Sequence, residues 1–259
     1  MLDTFENIFN LEGKVALVTG GSGDIGKAIA GALAAHGATV VIGGRSITKS
    51  EEVATTIRAD GGKAFGSEID IVDIDQVKQF VPDLVSQHNG LDILVNCVGT
   101  QIETAAEDYA EDEWDHIFSV NLKSAFFLSQ AVAKVQILKG GGKQIHLSSV
   151  RSQIGISRGY VGYCASKGGL NLMIKQLATE WGTHNICVNG IAPTFTRTEL
   201  VRPYLDDPDF YNPLVARIPL GRIAEPMDLV GLAVFLSARA GDFITGQIIF
   251  ADGGVTASQ

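Results

Sequence analysis

Short apolar runs alternate with longer amphipathic stretches along most of the 259-residue chain. Residues 14–19 and 39–42 are brief apolar runs bounded by glycine, a pattern typical of buried strands. Residues 27–38, KAIAGALAAHGA, lie between them and have the composition of a helix. This alternation predicts a parallel sheet with helices on both faces.

The same alternation continues to the C-terminus and predicts about seven strands in one doubly wound, Rossmann-type α/β domain over residues 1–259. The further strand-like and helix-like stretches are residues 63–70, 73–87, 91–99, 111–139, 143–149, 163–181, 185–193 and 246–254. Residues 194–221 contain four prolines and interrupt the alternation. We interpret them as an excursion that forms a lid over the site, not as a second domain.

Composition narrows the functional classes. The net charge of −9 gives no basic field for nucleic acid or an anionic membrane, so neither partner is expected. Three cysteines without a C-x-x-C spacing favour a reducing compartment, and the N-terminus has no basic, apolar leader. We therefore expect a soluble cytoplasmic protein. The five histidines lack ligand spacing, which predicts that there is no metal site.

A glycine-rich turn joins the first strand to the first helix. It reads Gly20-Gly-Ser-Gly-Asp-Ile-Gly26. Free amides at a helix N-terminus can bind a pyrophosphate, so this junction suggests a dinucleotide site. Glycines after a strand are also common in ordinary turns, and the motif alone is a weak signal.

Tyr163 and Lys167 would lie on one face of a helix, one turn apart. A tyrosine pKa of about 10 is too high for a base near neutrality, but a nearby ammonium favours the phenolate. A serine hydroxyl beside the phenol can hold a substrate oxygen, and both Ser148 and Ser149 are candidates. Tyr160 competes with Tyr163 by proximity but lacks a lysine four residues later.

Five motifs in order make the chain similar to the classical short-chain dehydrogenase/reductase family over roughly residues 11–254. They are Thr19-Gly20 to Gly26, Asn96-Cys97-Val98-Gly99, Asn121, Ser149, and Tyr163 with Lys167. The resemblance implies that Tyr163 transfers the proton and that Ser149 holds the substrate oxygen. Lys167 would bind the nicotinamide ribose and lower the tyrosine pKa, and Asn121 would hold a water that links Lys167 to solvent.

The resemblance also implies a set of cofactor contacts along the chain. They are Gly20, Ser22, Gly23, Asp24, Ile25, Gly26, Arg45, Ser46, Asp70, Ile71, Asn96, Val98, Gly99, Tyr163, Lys167, Pro193, Thr196 and Thr198. Asp70 could equally be an ordinary turn acid.

Three positions depart from the family pattern. Asp24 replaces the middle glycine of the loop, where its carboxylate either caps the following helix or weakens cofactor binding. Cys97-Val98 replaces Asn-Ala, a change that concerns packing on the adenine side. Thr194 replaces the glycine that normally follows Pro193. None of the three touches the expected proton transfer.

The end of the second strand carries the cofactor preference. Gly44 stands where an NAD-preferring sheet has an acid for the ribose hydroxyls, and Arg45 follows with a guanidinium that can pair with a 2′-phosphate. Ser46 and Thr48 add hydroxyls. We expect NADP(H) to be preferred, with NAD(H) possible; a solvated arginine after a glycine turn is the alternative.

The expected function is the interconversion of a secondary alcohol and a ketone on a small polar substrate such as a sugar acid. Within the family, residues 121–134 and 177–193 look most like gluconate and deoxygluconate dehydrogenases, with 3-oxoacyl-thioester reductases close behind. Arg151, Arg158 or Arg197 could bind a substrate carboxylate. A non-catalytic cofactor-binding regulator is the alternative from another class. The resemblance also implies a homo-oligomer, a tetramer.

Overall fold

The computed structural model describes residues 8–199 and 201–258, and its framework is one seven-stranded parallel sheet. The strands are β1 (Val15–Thr19), β2 (Thr39–Gly44), β3 (Lys63–Glu68), β4 (Ile93–Asn96), β5 (Gly142–Leu147), β6 (Ile186–Pro193) and β7 (Ile248–Ala251). Their order across the sheet is β3-β2-β1-β4-β5-β6-β7, and every neighbouring pair is parallel. The predicted doubly wound sheet is confirmed.

The helices connect these strands. They are α1 (Asp24–Ala35), α2 (Ile47–Ala59), α3 (Ile74–His88), α4 (Glu111–Phe118), α5 (Ser124–Lys139), α6 (Val161–Trp181), α7 (Arg202–Leu205), α8 (Pro208–Val215) and α9 (Met227–Ser237). In the described ranges, none of them combines the length and the apolar character that a membrane crossing needs.

The core lies on both faces of the sheet because side chains alternate along each buried strand. In β1, Ala16 and Val18 belong to the apolar cluster under α1 and α9. Val15 and Leu17 belong to the cluster on the other face, under α3 and α5. The strand is therefore apolar at every position, as its sequence predicts.

The single long helix expected over residues 111–139 is divided. A π-helical turn, Ser119–Lys123, separates α4 from α5. Such turns occur mostly at functional sites, because the extra residue changes which side chain points inward. Here the turn contains Asn121, which is 1% exposed.

The chain reverses its direction of travel across the sheet at β1, which lies between β2 and β4. In open α/β sheets, ligands bind at such a switch point, outside the carboxyl ends of the strands. The glycine loop after β1, Gly99 after β4 and Ser149 after β5 all follow the carboxyl ends of their strands. The sheet therefore brings the predicted site residues together at the carboxyl ends of its strands.

The 194–221 segment leaves the sheet after β6 and contains α7 and α8. It packs on a small apolar cluster of its own, which includes Leu205, Ile218 and Val255. Ile223 and the partly buried Ile154 extend that cluster towards the rest of the chain.

Two glycines in α1 provide a matched test of the β1–α1 packing. A Cβ on Gly26 would lie 2.3 Å from the Gly20 carbonyl oxygen and 2.8 Å from the Gly21 Cα, whereas a Cβ on Gly31 meets nothing within 4 Å. Gly26→Ala is expected to lower the free energy of unfolding by about 1–3 kcal/mol, the usual cost of overpacking. Gly31→Ala should raise it by about 0.5–1 kcal/mol, because alanine favours a helix. Urea unfolding of both variants checks this, and an unchanged midpoint for Gly26→Ala would contradict the close approach.

Candidate active site

Tyr163 and Lys167 lie one turn apart near the start of α6. The phenol is half-buried, and Lys167 is 3% exposed. The Lys167 Nζ lies 5.9 Å from the centroid of the tyrosine ring and donates a 2.7 Å hydrogen bond to the Leu147 carbonyl oxygen at the end of β5. The structure thus fixes the ammonium between α6 and the carboxyl end of the sheet.

The two neighbouring serines have different partners. Ser148 Oγ donates to Asn171 Oδ1 at 2.5 Å, and its hydroxyl is therefore engaged away from the phenol. Ser149 Oγ accepts from the Arg151 backbone N–H at 3.1 Å, and its side chain lies near enough to the Tyr163 phenol to lower the pKa of that phenol. Of the two candidates, the geometry brings Ser149 to the tyrosine.

The expected lowering of the tyrosine pKa is not observed. Burial raises the pKa of Tyr163, while the neighbouring Ser149 side chain lowers that pKa by a smaller amount. Lys167 is not among the leading causes. The physical reason is that desolvation penalises the phenolate, and the Lys167 ammonium is bonded to Leu147 instead of the phenol. The phenol is therefore protonated at neutral pH.

Burial also changes Lys167 itself. Removal of the ammonium from water lowers its pKa to about 8, from an ordinary 10.5. Gly99 lies beside the ammonium. A Cβ at this position would lie 3.3 Å from the Lys167 Nζ and 3.5 Å from Asn121 Oδ1. Glycine at this position leaves room for the ammonium.

The Asn121 side chain is held by the backbone. Its Oδ1 accepts from the Thr100 N–H at 2.8 Å, and its Nδ2 donates to the Thr100 carbonyl at 2.9 Å and to Ser166 Oγ at 3.0 Å. These bonds join the π-turn to the loop after β4 and to α6. They position the two elements that carry Gly99 and Lys167.

Tyr160, the competing tyrosine, is 6% exposed and lies edge-on to Tyr163. Burial and the Glu103 carboxylate both raise its pKa. Arg158 stacks over its ring at 5.8 Å from the centroid. No lysine accompanies it, as the sequence indicates.

The glycine loop forms a cradle that side chains would fill. Gly20 has φ +67°, and a Cβ there would lie 3.0–3.2 Å from the Cys97 and Val98 backbone. Gly23 is the N-cap of α1, so no side chain caps the first amides of this helix. The backbone is thus open at a helix N-terminus, which fits a pyrophosphate. Ser22 and Ile25 lie in the same loop and first turn.

Asp24 neither caps α1 nor points freely into the loop. Its Oδ1 lies 2.6 Å from Lys27 Nζ, and its Oδ2 accepts the Glu199 N–H at 2.7 Å. Burial would raise the pKa of Asp24, but the bonds from Lys27 and Glu199 outweigh it and lower that pKa. The acid is therefore neutralised by a lysine and tied to the 194–221 segment.

Asn96 connects two strand ends. Its Oδ1 accepts from Thr19 Oγ1 at 2.9 Å and from the Val98 N–H at 3.1 Å. The first bond locks β4 against the start of the glycine loop. Burial raises the pKa of the neighbouring Cys97 thiol to about 12, so the thiol is an inert packing group.

The end of β2 presents Gly44 and an exposed Arg45. Among the described residues, the Arg45 guanidinium has no ion pair or hydrogen bond. Ser46 Oγ caps α2 through the Lys49 N–H. Ser50 Oγ is buried without a protein partner in the same part of the chain, 3.2 Å from where a Cβ on Gly44 would lie. A cation and a hydroxyl are thus available at the strand end.

The remaining predicted contacts lie at two places in the chain, just after β3 and at the end of β6. Asp70 Oδ1 accepts the Val72 N–H at 3.0 Å, a turn bond, and Ile71 is 3% exposed in the core. Pro193 ends β6, and Thr196 is 5% exposed with its Oγ1 bonded to the Thr194 carbonyl. Thr198 accepts the Arg202 N–H through its carbonyl. No group of acid, histidine or cysteine side chains in the described chain could hold a metal ion.

A cavity of about 500 Å³ lies beside this site. Its walls come from residues 151–158, after β5, and from the 194–221 segment, with Val255 closing it. Arg151 and Arg217 both line it. Sequence reasoning missed Arg217, because it lies 66 positions from Arg151 and no motif links the two; only the packing of the 194–221 segment does.

The parallel sheet and its glycine loop at the switch point define a Rossmann-type α/β protein. A family model described as enoyl-(acyl carrier protein) reductase matches residues 21–256. A gluconate 5-dehydrogenase of Gluconobacter oxydans (strain 621H) is 38% identical over 252 residues, or 97% of this chain and 98% of that protein. A tropinone reductase homologue of Arabidopsis thaliana is 38% identical over 249 residues, or 96% and 94%.

A solved structure shows the same fold. It is a gluconate 5-dehydrogenase from Burkholderia cenocepacia J2315 in complex with NADP and tartrate, with a TM-score of 0.93 and 35% identity over 97% of this chain and 98% of that one. The chain belongs to the short-chain dehydrogenase/reductase family. It is an oxidoreductase that acts on CH–OH groups.

The buried ammonium makes stability depend on pH in a defined direction. Between pH 8 and 10.5 the unfolded state holds the Lys167 proton and the folded state does not, so the lysine's contribution to stability rises with pH. The shift corresponds to about 3 kcal/mol. The unfolding free energy of wild type, relative to Lys167→Met, should therefore gain about 2–3 kcal/mol from pH 7 to pH 10. Urea titrations at both pH values measure this.

Lys134→Met, at an exposed position on α5, controls for the loss of one positive charge. Its stability relative to wild type should not follow the same course. An equal difference between wild type and Lys167→Met at both pH values would show that the ammonium is not desolvated.

Proposed function

We propose that the protein is an NADP(H)-dependent oxidoreductase that interconverts a secondary alcohol and a ketone on a small polar substrate such as a sugar acid. The observation that carries the proposal is the Tyr163 phenol, which lies beside Ser149 and has the buried Lys167 ammonium one helical turn away. This arrangement provides a proton donor, a hydroxyl for the substrate oxygen and a cation at the carboxyl ends of the strands.

The chain's own residues manage the oxygen and its proton. Ser149 Oγ binds the carbonyl oxygen, and Tyr163 Oη donates a proton to it as the alcohol forms. When bound, the nicotinamide accepts or supplies the hydride. Lys167 binds the nicotinamide ribose, and the Asn121 bonds to Thr100 and Ser166 keep the lysine's pocket in place.

The tyrosine pKa favours one direction near neutrality. Because burial raises the pKa of Tyr163, the phenol is the ready acid that ketone reduction requires. Oxidation of the alcohol needs the phenolate, and its rate should therefore increase as the solution becomes alkaline. The same residue serves both directions, with pH deciding which is faster.

The sugar-acid assignment is supported by the relatives and by the arginines that line the cavity. The similar proteins include gluconate 5-dehydrogenases, and the one from Burkholderia cenocepacia was solved with NADP and tartrate, a small hydroxy acid. The cavity's arginines are suited to an anionic substrate. The 194–221 segment forms one wall of the cavity, and we propose that it covers the substrate as a lid.

A substrate screen tests the assignment. NADPH oxidation is measured with 2-keto and 5-keto sugar acids, 3-oxoacyl esters and simple diketones, and NADP⁺ reduction with D-gluconate. Turnover of the sugar acids above the other classes supports the proposal. Preference for the oxoacyl esters would favour a thioester reductase, and tight NADPH binding without any turnover would favour a regulator.

The homotetramer implied by the family resemblance stays a prediction. Leu138 on α5 and Leu172 on α6 are 90% and 69% exposed, so each helix has an apolar side chain available to a second copy.

Tyr163→Phe should abolish turnover and leave NADPH affinity nearly intact. The loss of general acid–base catalysis is worth about 10²–10⁴-fold in kcat. Stopped-flow kinetics and fluorescence titration with NADPH separate the two effects. Tyr160→Phe is the matched control and should retain a far larger share of kcat; a near-normal kcat for Tyr163→Phe would remove this mechanism.

Arg45→Ala should erase most of the preference for NADPH. A charge-assisted contact with the 2′-phosphate contributes about 1.5–3 kcal/mol, which corresponds to roughly 10–100-fold in affinity. The wild-type ratio of kcat/KM for NADPH over NADH should lie in that range and shrink as salt rises. Lys49→Ala, on the exposed side of the following helix, is the control. Equal kcat/KM for both cofactors in wild type would show that Arg45 does not contact the phosphate.

A further inference from the structure

We propose that Arg151 and Arg217 together bind the carboxylate of the substrate, and that this pair selects anionic substrates over neutral polyols. The inference rests on the oxidoreductase function proposed above. It assigns the charge-recognition site within the cavity and names a residue, Arg217, that no motif indicates.

The position of the pair fits a substrate that reacts at Tyr163. Arg151 follows Ser149 by two residues, in the short 3-10 turn Val150–Ser152. Its guanidinium is close enough to Tyr163 and to Arg217 for each to influence its pKa. Arg217 lines the same cavity from the 194–221 segment, just after α8. A carboxylate bound by Arg151 therefore lies near the Tyr163 phenol, and we expect the carbon that reacts to extend from it towards the phenol.

The ion pairs of the other arginines exclude two alternatives. Arg158 Nε lies 2.7 Å from Glu103 Oε1, and Arg197 Nε lies 2.8 Å from Glu225 Oε1. Both charges are already compensated, so neither residue is well suited to capture a substrate carboxylate. Of the three arginines that the sequence suggests for this role, only Arg151 keeps its charge available.

Arg151 and Arg217 have no acidic partner within the described chain. Arg151 Nη1 donates to the Gly155 carbonyl at 2.9 Å, which orients the guanidinium but does not neutralise it. The two acids at the cavity, Asp207 and Asp209, are exposed at the start of α8. Asp207 Oδ1 accepts the Asp209 N–H at 3.0 Å as a helix cap. The acids therefore remain at the rim and leave the arginines uncompensated.

The physical effect of this arrangement is a site with two positive charges close together, which suits an anion. Burial lowers the pKa of Arg151, and the nearby Arg217 charge lowers it further. A carboxylate between the two guanidinium groups removes their repulsion and accepts forked hydrogen bonds from each. Because one arginine lies on the sheet side and the other on the 194–221 segment, the same anion also joins the two walls.

Two substrates that differ only at one carbon test the proposal. D-gluconate and D-sorbitol share a six-carbon hydroxylated chain, but the carboxylate of the first is a hydroxymethyl group in the second. The wild-type ratio of kcat/KM, gluconate over sorbitol, should fall about 10–100-fold in Arg151→Gln and in Arg217→Gln, the value of one charge-assisted contact. The loss should appear in KM for gluconate. Arg239→Gln, at an exposed arginine outside the cavity, is the matched control and should leave the ratio unchanged.

Several outcomes would overturn the proposal. They are an unchanged ratio in both variants, an equal loss on both alcohols, or a wild-type enzyme that does not prefer gluconate. Arg217→Gln is informative even if Arg151→Gln folds poorly, because Arg217 is exposed and outside the core.

A binding measurement keeps this test separate from that of the reaction. Calorimetry with D-gluconate uses the Tyr163→Phe protein saturated with NADP⁺, in which turnover is blocked. Affinity that falls about 10–100-fold when Arg151 or Arg217 becomes glutamine supports the anion site even if no sugar acid is turned over. Absent or arginine-independent binding would overturn it, whereas binding without turnover in wild type would overturn only the proposed reaction.

Discussion

The ammonium of Lys167 is the group around which the site is built. It is almost completely buried, and its hydrogen bond to Leu147 holds it at the end of β5. Burying a cation costs free energy unless it is hydrogen-bonded. The surrounding elements must therefore supply oxygen acceptors and also leave space for the ammonium. The Leu147 carbonyl supplies one, and the absence of a side chain at Gly99 provides the space. The π-turn with Asn121 then fixes the loop that contains Gly99.

The local charge at the site is positive, although the net charge of the protein is negative. The chain has a net charge of −9, yet Lys167 and Arg151 lie near the phenol and Arg217 lies near Arg151, and none of the three has an acidic partner among the described residues. Positive charge in a partly desolvated cleft attracts anions more strongly than the same charge in water. This local field suits anionic ligands, such as the nucleotide cofactor and the sugar acid that we propose, despite the negative net charge of the chain.

The sequence predicted the framework well because its physical signals are local. The alternation of strand-like and helix-like stretches located all seven strands, and the Tyr163–Lys167 spacing placed both residues on one helical face. Predictions that depended on long-range contacts fared differently. The expectation that Lys167 lowers the tyrosine pKa was wrong, because burial of the phenol and the Leu147 bond are set by tertiary packing. Arg217 was missed for the same reason.

Asp24 shows how such a long-range contact changes the meaning of a motif. An acid in the glycine loop looks unfavourable for a pyrophosphate, since like charges repel. In the structure its two oxygens are occupied by Lys27 and by the Glu199 N–H. The lysine offsets the charge, and the backbone bond joins the glycine loop to the 194–221 segment that also carries Arg217. The residue that departs from the family pattern therefore links the glycine loop to the segment that forms one wall of the cavity.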